Sequence, residues 1–239
     1  MGLLEVQGLT RHFGGVRAVS DLSFSVNEGE ILGLIGPNGS GKTTVFNLIT
    51  GFIRPHAGAI RLDGQSLVGM RPHAVARKGI ARTFQIVQPF PGLSALENVT
   101  LAAFLRHPAR QDAEAAATAV LGRVGLSGRV NEIASRLTLM DQKRLETAKA
   151  LATRPRLLLL DEPMGGLNAT EVDVASDLVN QIRASGVTII LVEHVMKAIM
   201  RISDRVVVIN QGEKIAEGLP ARVVAEPAVL AAYFGKRVA

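Results

Sequence analysis

Residues 31–44, ILGLIGPNGSGKTT, decide how the rest of the chain is read. The first five are a short unbroken apolar run, the pattern of a strand buried on both faces. Gly36, Gly41, Lys42 and Thr43 then satisfy the phosphate-loop spacing GxxxxGK[ST]. The following TTVFNLITGF (43–52) has apolar residues at helical spacing and stops at Gly51, with Pro55 just beyond. Strand, glycine loop and helix in that order are what a phosphate-binding turn requires. The backbone of Asn38, Gly39, Ser40, Gly41 and Thr44 can curl around an anion, helped by the dipole of the helix start. Lys42 is placed to reach the β- and γ-phosphates, and the Thr43 hydroxyl to take a position on Mg²⁺.

A phosphate loop works with a carboxylate at the end of a neighbouring strand. LLLLDE at 157–162 supplies one. Asp161 is expected to hold Mg²⁺ through water, and Glu162 to polarise an attacking water as general base.

Around these two motifs the pattern is one of alternation. Segments 3–7, 19–26 and 30–35 read as strands, with a turn at Glu28-Gly29 before the third. GAIRLDGQSL (58–67) reads as a strand pair about Asp63-Gly64. From about 94 to 153 the chain is rich in alanine and leucine at helical period. RLLLLD (156–161) and VTIILVEH (187–194) are further buried strands, separated by a helix near 170–185. DRVVVINQGEKIAEG reads as two strands about Gln211-Gly212, followed by a helix near 220–234. Strands alternating with helices imply an α/β fold with a mostly parallel sheet.

Composition narrows the function classes. The 239 residues are expected to form one large domain, with an apolar fraction of 47% that is ample for a core. The absence of cysteine excludes disulfides and thiolate metal sites. The first residues, MGLLEVQGLTRHFGG, do not read as a signal peptide, and no apolar run approaches the ~18–20 residues of a membrane span. The net charge is +6, and its densest run, Arg71, Arg77, Lys78 and Arg82, is expected to be a solvated face. A regulatory GTPase would need a guanine-selecting NKxD segment, and the chain has no Asn-Lys pair. Nucleic-acid-handling ATPases carry tandem cassettes or long insertions that 239 residues do not hold, so no nucleic-acid partner is expected.

Five segments follow one another in a telling order: the phosphate loop, RTFQ (82–85), LTLMDQKRLETAKAL (137–151), LLLLDEP (157–163) and LVEH (191–194). Over essentially the whole chain this resembles the ATP-hydrolysing subunit of ABC transporters. The resemblance implies a P-loop NTPase cassette fold with a RecA-like parallel-sheet core, an antiparallel β-lobe and an inserted helical subdomain. Residues 1–239 then form a single ATPase domain, with 1–88 and 152–239 as the nucleotide-binding core and 89–151 as the helical subdomain. ATP and Mg²⁺ are the implied cofactors. By the same resemblance Gln85 touches Mg²⁺ and the attacking water, and His194 contacts the γ-phosphate. Phe13 stacks on adenine with Val19 flanking the base. GGLN (165–168) is similar to a loop that crosses a dimer interface, although Asn168 replaces the usual aspartate.

FGGVRAVSDLSFSV, NLITGF, RTFQ with PFPGLSALENV, and ISDRVVVINQGEKIAEG look like the branched-chain (hydrophobic) amino-acid uptake class. A lipopolysaccharide-exporting subfamily is the nearest competitor. The implied partners are a second ATPase subunit, two membrane permease subunits and, indirectly, a periplasmic or extracellular substrate-binding protein. The implied place is peripheral, on the cytoplasmic face of the inner membrane.

One segment departs from the family pattern. The signature, usually LSGGQ, opens a helix and contacts the γ-phosphate held by the opposing subunit; here it aligns with LTLMD at 137–141. Thr138 keeps a hydroxyl, but Met140 replaces a glycine that lies against phosphate. Asp141 brings a negative charge to the helix start, where it is expected to cap free N–H groups and repel a triphosphate. A weakened half-site follows. A heterodimer with one strong and one weak site is therefore favoured over a homodimer.

Overall fold

The computed structural model describes residues 2–234. In chain order the elements are β1 (Leu4–Phe13), β2 (Val16–Val26), β3 (Ile31–Ile35), α1 (Lys42–Ile49), β4 (Ala57–Leu62), β5 (Gln65–Ser66), α2 (Pro72–Arg77) and β6 (Ile80–Arg82). There follow α3 (Ala95–Ala103), α4 (Arg110–Arg123), α5 (Leu139–Ala152), β7 (Leu157–Asp161), α6 (Ala169–Ala184), β8 (Thr188–Val192) and α7 (Met196–Ile202). The described chain closes with β9 (Arg205–Asn210), β10 (Glu213–Gly218), α8 (Pro220–Val223) and α9 (Pro227–Phe234).

The strands form two sheets. An antiparallel sheet has the order β2-β1-β4-β5, and a six-stranded sheet has the order β10-β9-β3-β8-β7-β6. In the second sheet β9, β3, β8, β7 and β6 pair in parallel, and β10 is added antiparallel at one edge. Every residue of β3, β7 and β8 is buried, as strands covered on both faces must be. The pleat divides their side chains between two cores. Leu32, Leu34, Leu157, Leu159 and Ile190 pack with Val45 and Phe46 of α1 and with the antiparallel sheet. Ile31, Ile35, Leu158, Leu160 and Ile189 pack on the other side with α5, α6 and α7. Helices α3, α4 and α5 lie between β6 and β7 in the chain. Their alanines and leucines (Ala103, Ala117, Leu121, Leu145) join the second core.

The structure departs from the sequence reading in several places. β1 and β2 run on to a two-glycine turn at Gly14-Gly15, well past residue 7 and starting before residue 19. The three-residue β6 is shorter than any run that alternation can reveal. α2 buries only Val75 and so carries no apolar period. α7 was also not anticipated. The C-terminal helix is two helices, interrupted before Pro227, which cannot donate to a helix passing through it. Within the basic run, Arg71, Arg77 and Lys78 are exposed, but Arg82 is not part of a solvated face: its side chain is only 6% exposed. No helix among the described residues is long and apolar enough to cross a membrane.

Candidate nucleotide-binding site

Between β3 and α1 the loop packs too closely on its neighbours for side chains at two glycines. A Cβ at Gly36 would lie 2.0 Å from the Ile209 carbonyl oxygen, and one at Gly41 2.3 Å from that of Ala18. Gly41 also has φ of 109°, a backbone open to glycine alone. Helix α1 starts there with no side-chain cap and no acid in its first turn, so its free N–H groups remain available to an anion. Lys42 is buried beneath the loop, its Nζ donating to the carbonyls of Gly36 (2.8 Å) and Pro37 (2.9 Å). Burial lowers its pKa, against the opposing pull of the Glu162 and Asp161 carboxylates. Residues 38–44 line a cleft of about 490 Å³, together with Val16, Arg17 and Ala18 of β2 and with Gln85, Glu162 and His194. That volume suits a ligand of nucleotide size.

Glu162 follows β7 with φ of 50°, in the left-handed region that a glutamate seldom occupies. Its N–H donates to the Val192 carbonyl (2.9 Å), and its own carbonyl accepts from Lys143 Nζ (2.9 Å). The strained turn aims the carboxylate across the sheet end. There Gln85 Nε2 donates to Oε2 at 2.8 Å, and His194 Nε2 donates to Oε1 at 2.5 Å. Three residues from three separate segments thus meet at one carboxylate.

Asp161, the last residue of β7, accepts from Arg82 Nη2 at 2.7 Å through Oδ2. Its Oδ1 is buried with no hydrogen-bond partner among the described residues, as is the hydroxyl of Ser40 in the loop. A buried carboxylate oxygen without a donor is costly alone and suits a cation or its water shell.

The adenine contacts come out differently. Phe13 ends β1, is 46% exposed and has the Arg11 guanidinium 4.8 Å above its ring. Val19 does not flank a base: it is fully buried in the core beneath the antiparallel sheet. The register of β2, shifted repeatedly against β1, turns Val16 and Ala18 toward the cleft instead, with Val16 paired opposite Phe13.

At the start of α5 the expected geometry also changes. Thr138 is the N-cap, accepting from the Asp141 N–H at 3.2 Å. Its hydroxyl proton goes to Asp141 Oδ2 at 3.0 Å. Among the described residues the Asp141 carboxylate therefore caps no backbone group; Arg129 (3.3 Å) and Arg144 (3.2 Å) hold it and offset its charge. Asn168 is likewise a cap: its Oδ1 accepts from the Glu171 N–H (3.0 Å), while Glu171 accepts from its N–H (2.9 Å). Asparagine serves there about as well as aspartate.

Glu193 was not singled out from the sequence. It is buried and accepts from the N–H groups of Met164 (2.6 Å), His194 (3.0 Å) and Val195 (3.3 Å), tying the loop after Glu162 to the loop carrying His194. Burial raises its pKa against those hydrogen bonds. A charged residue directly after an apolar strand, at the same sheet end as the phosphate loop, was the available signal.

Residues 19–165, more than half of the chain, match the family described as ABC transporter. The chain belongs to the ABC transporter family. Residues 213–239 of this ABC cassette also match a family described as branched-chain amino acid ATP-binding cassette transporter. The cassette is 44% identical to the high-affinity branched-chain amino acid transport ATP-binding protein BraF of Pseudomonas aeruginosa, over 98% of each chain. It is 41% identical to LivG, the protein of the same description from Escherichia coli, again over 98% of each. Among solved structures it is similar to MJ1267, an ATP-binding cassette of an ABC transporter, in its ADP conformation. The TM-score is 0.90 at 28% identity, covering 99% of this chain and 100% of that one. The parallel core and phosphate loop are those of an ABC ATPase, and the cassette binds nucleotide.

Proposed function

We infer that this chain is the ATP-binding and ATP-hydrolysing subunit of an importer for branched-chain or other hydrophobic amino acids. The observation that carries the reading is the Glu162 carboxylate, hydrogen-bonded by Gln85 and His194 beside an uncapped phosphate loop. The family matches and the relatives described above favour this transport class over a lipopolysaccharide exporter.

ATP phosphates would lie on the backbone N–H groups of the loop and of the uncapped start of α1, with Lys42 turned from the loop carbonyls toward the β- and γ-phosphates. Thr43, Gln85 and the free oxygen of Asp161 would hold a magnesium ion, since oxygen donors suit that hard cation. When bound, that ion supplies charge neutralisation on the phosphates. Glu162 accepts the proton of the attacking water, Gln85 orients that water, and His194 donates toward the γ-phosphate. Phe13 offers its exposed ring to the adenine, and Val16 flanks it.

The working unit is a dimer in which α5 of one subunit faces the ATP of the other. Thr138 and Asp141 already satisfy each other, and Met140 stands where backbone must approach phosphate. This supports pairing with a different ATPase subunit that brings a competent signature to the cleft described here. A groove of about 340 Å³ between α2, β6 and α5, with Phe52 and Phe84 edge to face at 6.2 Å, suits the permease. Ile86 and Phe90 stand exposed on the segment after Gln85. Docking there holds the cassette at the cytoplasmic face of the inner membrane, opposite the substrate-binding protein.

Reconstituted with its partner ATPase, permeases and binding protein, the chain supports ATP-dependent leucine uptake in proteoliposomes. Uptake that showed no dependence on ATP, or that required no copy of this chain, would sink the reading.

A further inference from the structure

We propose that Arg82 is a positioning residue for the magnesium site, fixing Asp161 relative to the helix that carries Thr43. The proposal rests on the magnesium-nucleotide reading above. Arg82 and Asp161 are both almost fully enclosed, with side chains 6% and 1% exposed, and their ion pair is 2.7 Å long. A second guanidinium nitrogen, Nη1, donates to Asn47 Oδ1 at 2.5 Å. Asn47 stands four residues after Thr43 on α1, and residues four apart share a helix face. One rigid fork therefore spans the two elements that present the metal-side groups.

The fork is itself held in place. Its guanidinium carbon lies 5.4 Å from the Phe46 ring centroid and 5.2 Å from that of Phe84. Packed this way, Arg82 engages Oδ2 of Asp161 and leaves Oδ1 without a partner among the described residues. Its effect is to choose which carboxylate oxygen is free. A lysine would keep the charge but could not hold Asp161 and Asn47 together in one plane.

The test is a magnesium titration of fluorescent ATP-analogue binding to the full chain, for wild type, Arg82→Met and Arg82→Lys, with thermal melts confirming the fold. In wild type, magnesium tightens binding. Arg82→Met should raise the half-saturating magnesium concentration by about tenfold or more, while affinity measured in chelator stays within about twofold, as expected on losing a partner that orients a ligand. Arg82→Lys should fall between the two, about threefold above wild type. A half-saturation in Arg82→Met equal to wild type overturns the proposal, as does an equal loss of affinity in chelator. Should Arg82→Met fail to fold, Arg82→Lys decides alone: a clear rise supports the role and no rise removes it. If wild type itself shows no magnesium dependence, the underlying reading of the site fails rather than the role of Arg82.

Discussion

In the proposed dimer two helix starts of each chain face a triphosphate, and they are built in opposite ways. α1 begins at a bare glycine, with no cap and no acid in its first turn. α5 begins at Thr138, whose oxygen caps the third N–H of the helix, with Asp141 in the first turn between Arg129 and Arg144. The first start is left unsatisfied so that an anion can complete it; in the second the third N–H and the Thr138 hydroxyl are already engaged within the chain. Stability and ligand binding compete for the same N–H groups. The contrast teaches that side chains at a helix start can tie up donors an anion would use, without a change of fold.

The largest blow to this contrast falls on the cleft that works. Glu162→Gln removes the proton acceptor while keeping the side chain's size, and phosphate release should fall by about 10²–10⁴-fold with ATP binding retained. Turnover near wild type would take Glu162 out of the role of base. Lys42→Ala withdraws a charged donor from the phosphates, and ATP affinity measured by fluorescence titration should drop by about 10–100-fold. The other side of the contrast is sharpened by repair. Met140→Gly with Asp141→Gln bares the backbone at 140 and takes the carboxylate away from the Thr138 hydroxyl, and the ATPase rate of the purified chain alone should rise severalfold. A homodimer already as active as the mixed dimer, and unmoved by the double change, would refute the weak half-site. The smallest effect belongs to a cap that faces no phosphate in its own chain. Asn168→Ala should lower unfolding stability in urea by about 1 kcal/mol, and Asn168→Asp by almost nothing.

The phosphate loop was legible because its conformation is local: between residues 31 and 52 the entering apolar run, the glycines and the leaving helix all state the same geometry. The buried strands were legible for a similar reason, since continuous leucine and isoleucine leave no polar face. What the sequence could not show is decided by partners far along the chain. Arg82 sits in a basic run and reads as solvated, yet its carboxylate lies 79 residues away on the neighbouring strand. The meeting of Gln85, Glu162 and His194 required a known family order, because no spacing rule brings three strand ends together. Val16 and Val19 are chemically alike, and only the shifted register of β1 against β2 tells which one faces the cleft. At α5 the cap falls to Thr138 rather than to Asp141, whose carboxylate is held by Thr138, Arg129 and Arg144.

Lys143 gives α5 a second end to its reach. Five residues, about 7.5 Å along the axis, separate the N-cap Thr138 from Lys143, whose ammonium grips the carbonyl of Glu162. In the proposed dimer, the stretch of helix that meets one subunit's ATP is thus bolted to the turn that aims the other subunit's water-activating carboxylate. One short run of α5 touches the surroundings of both ATP sites.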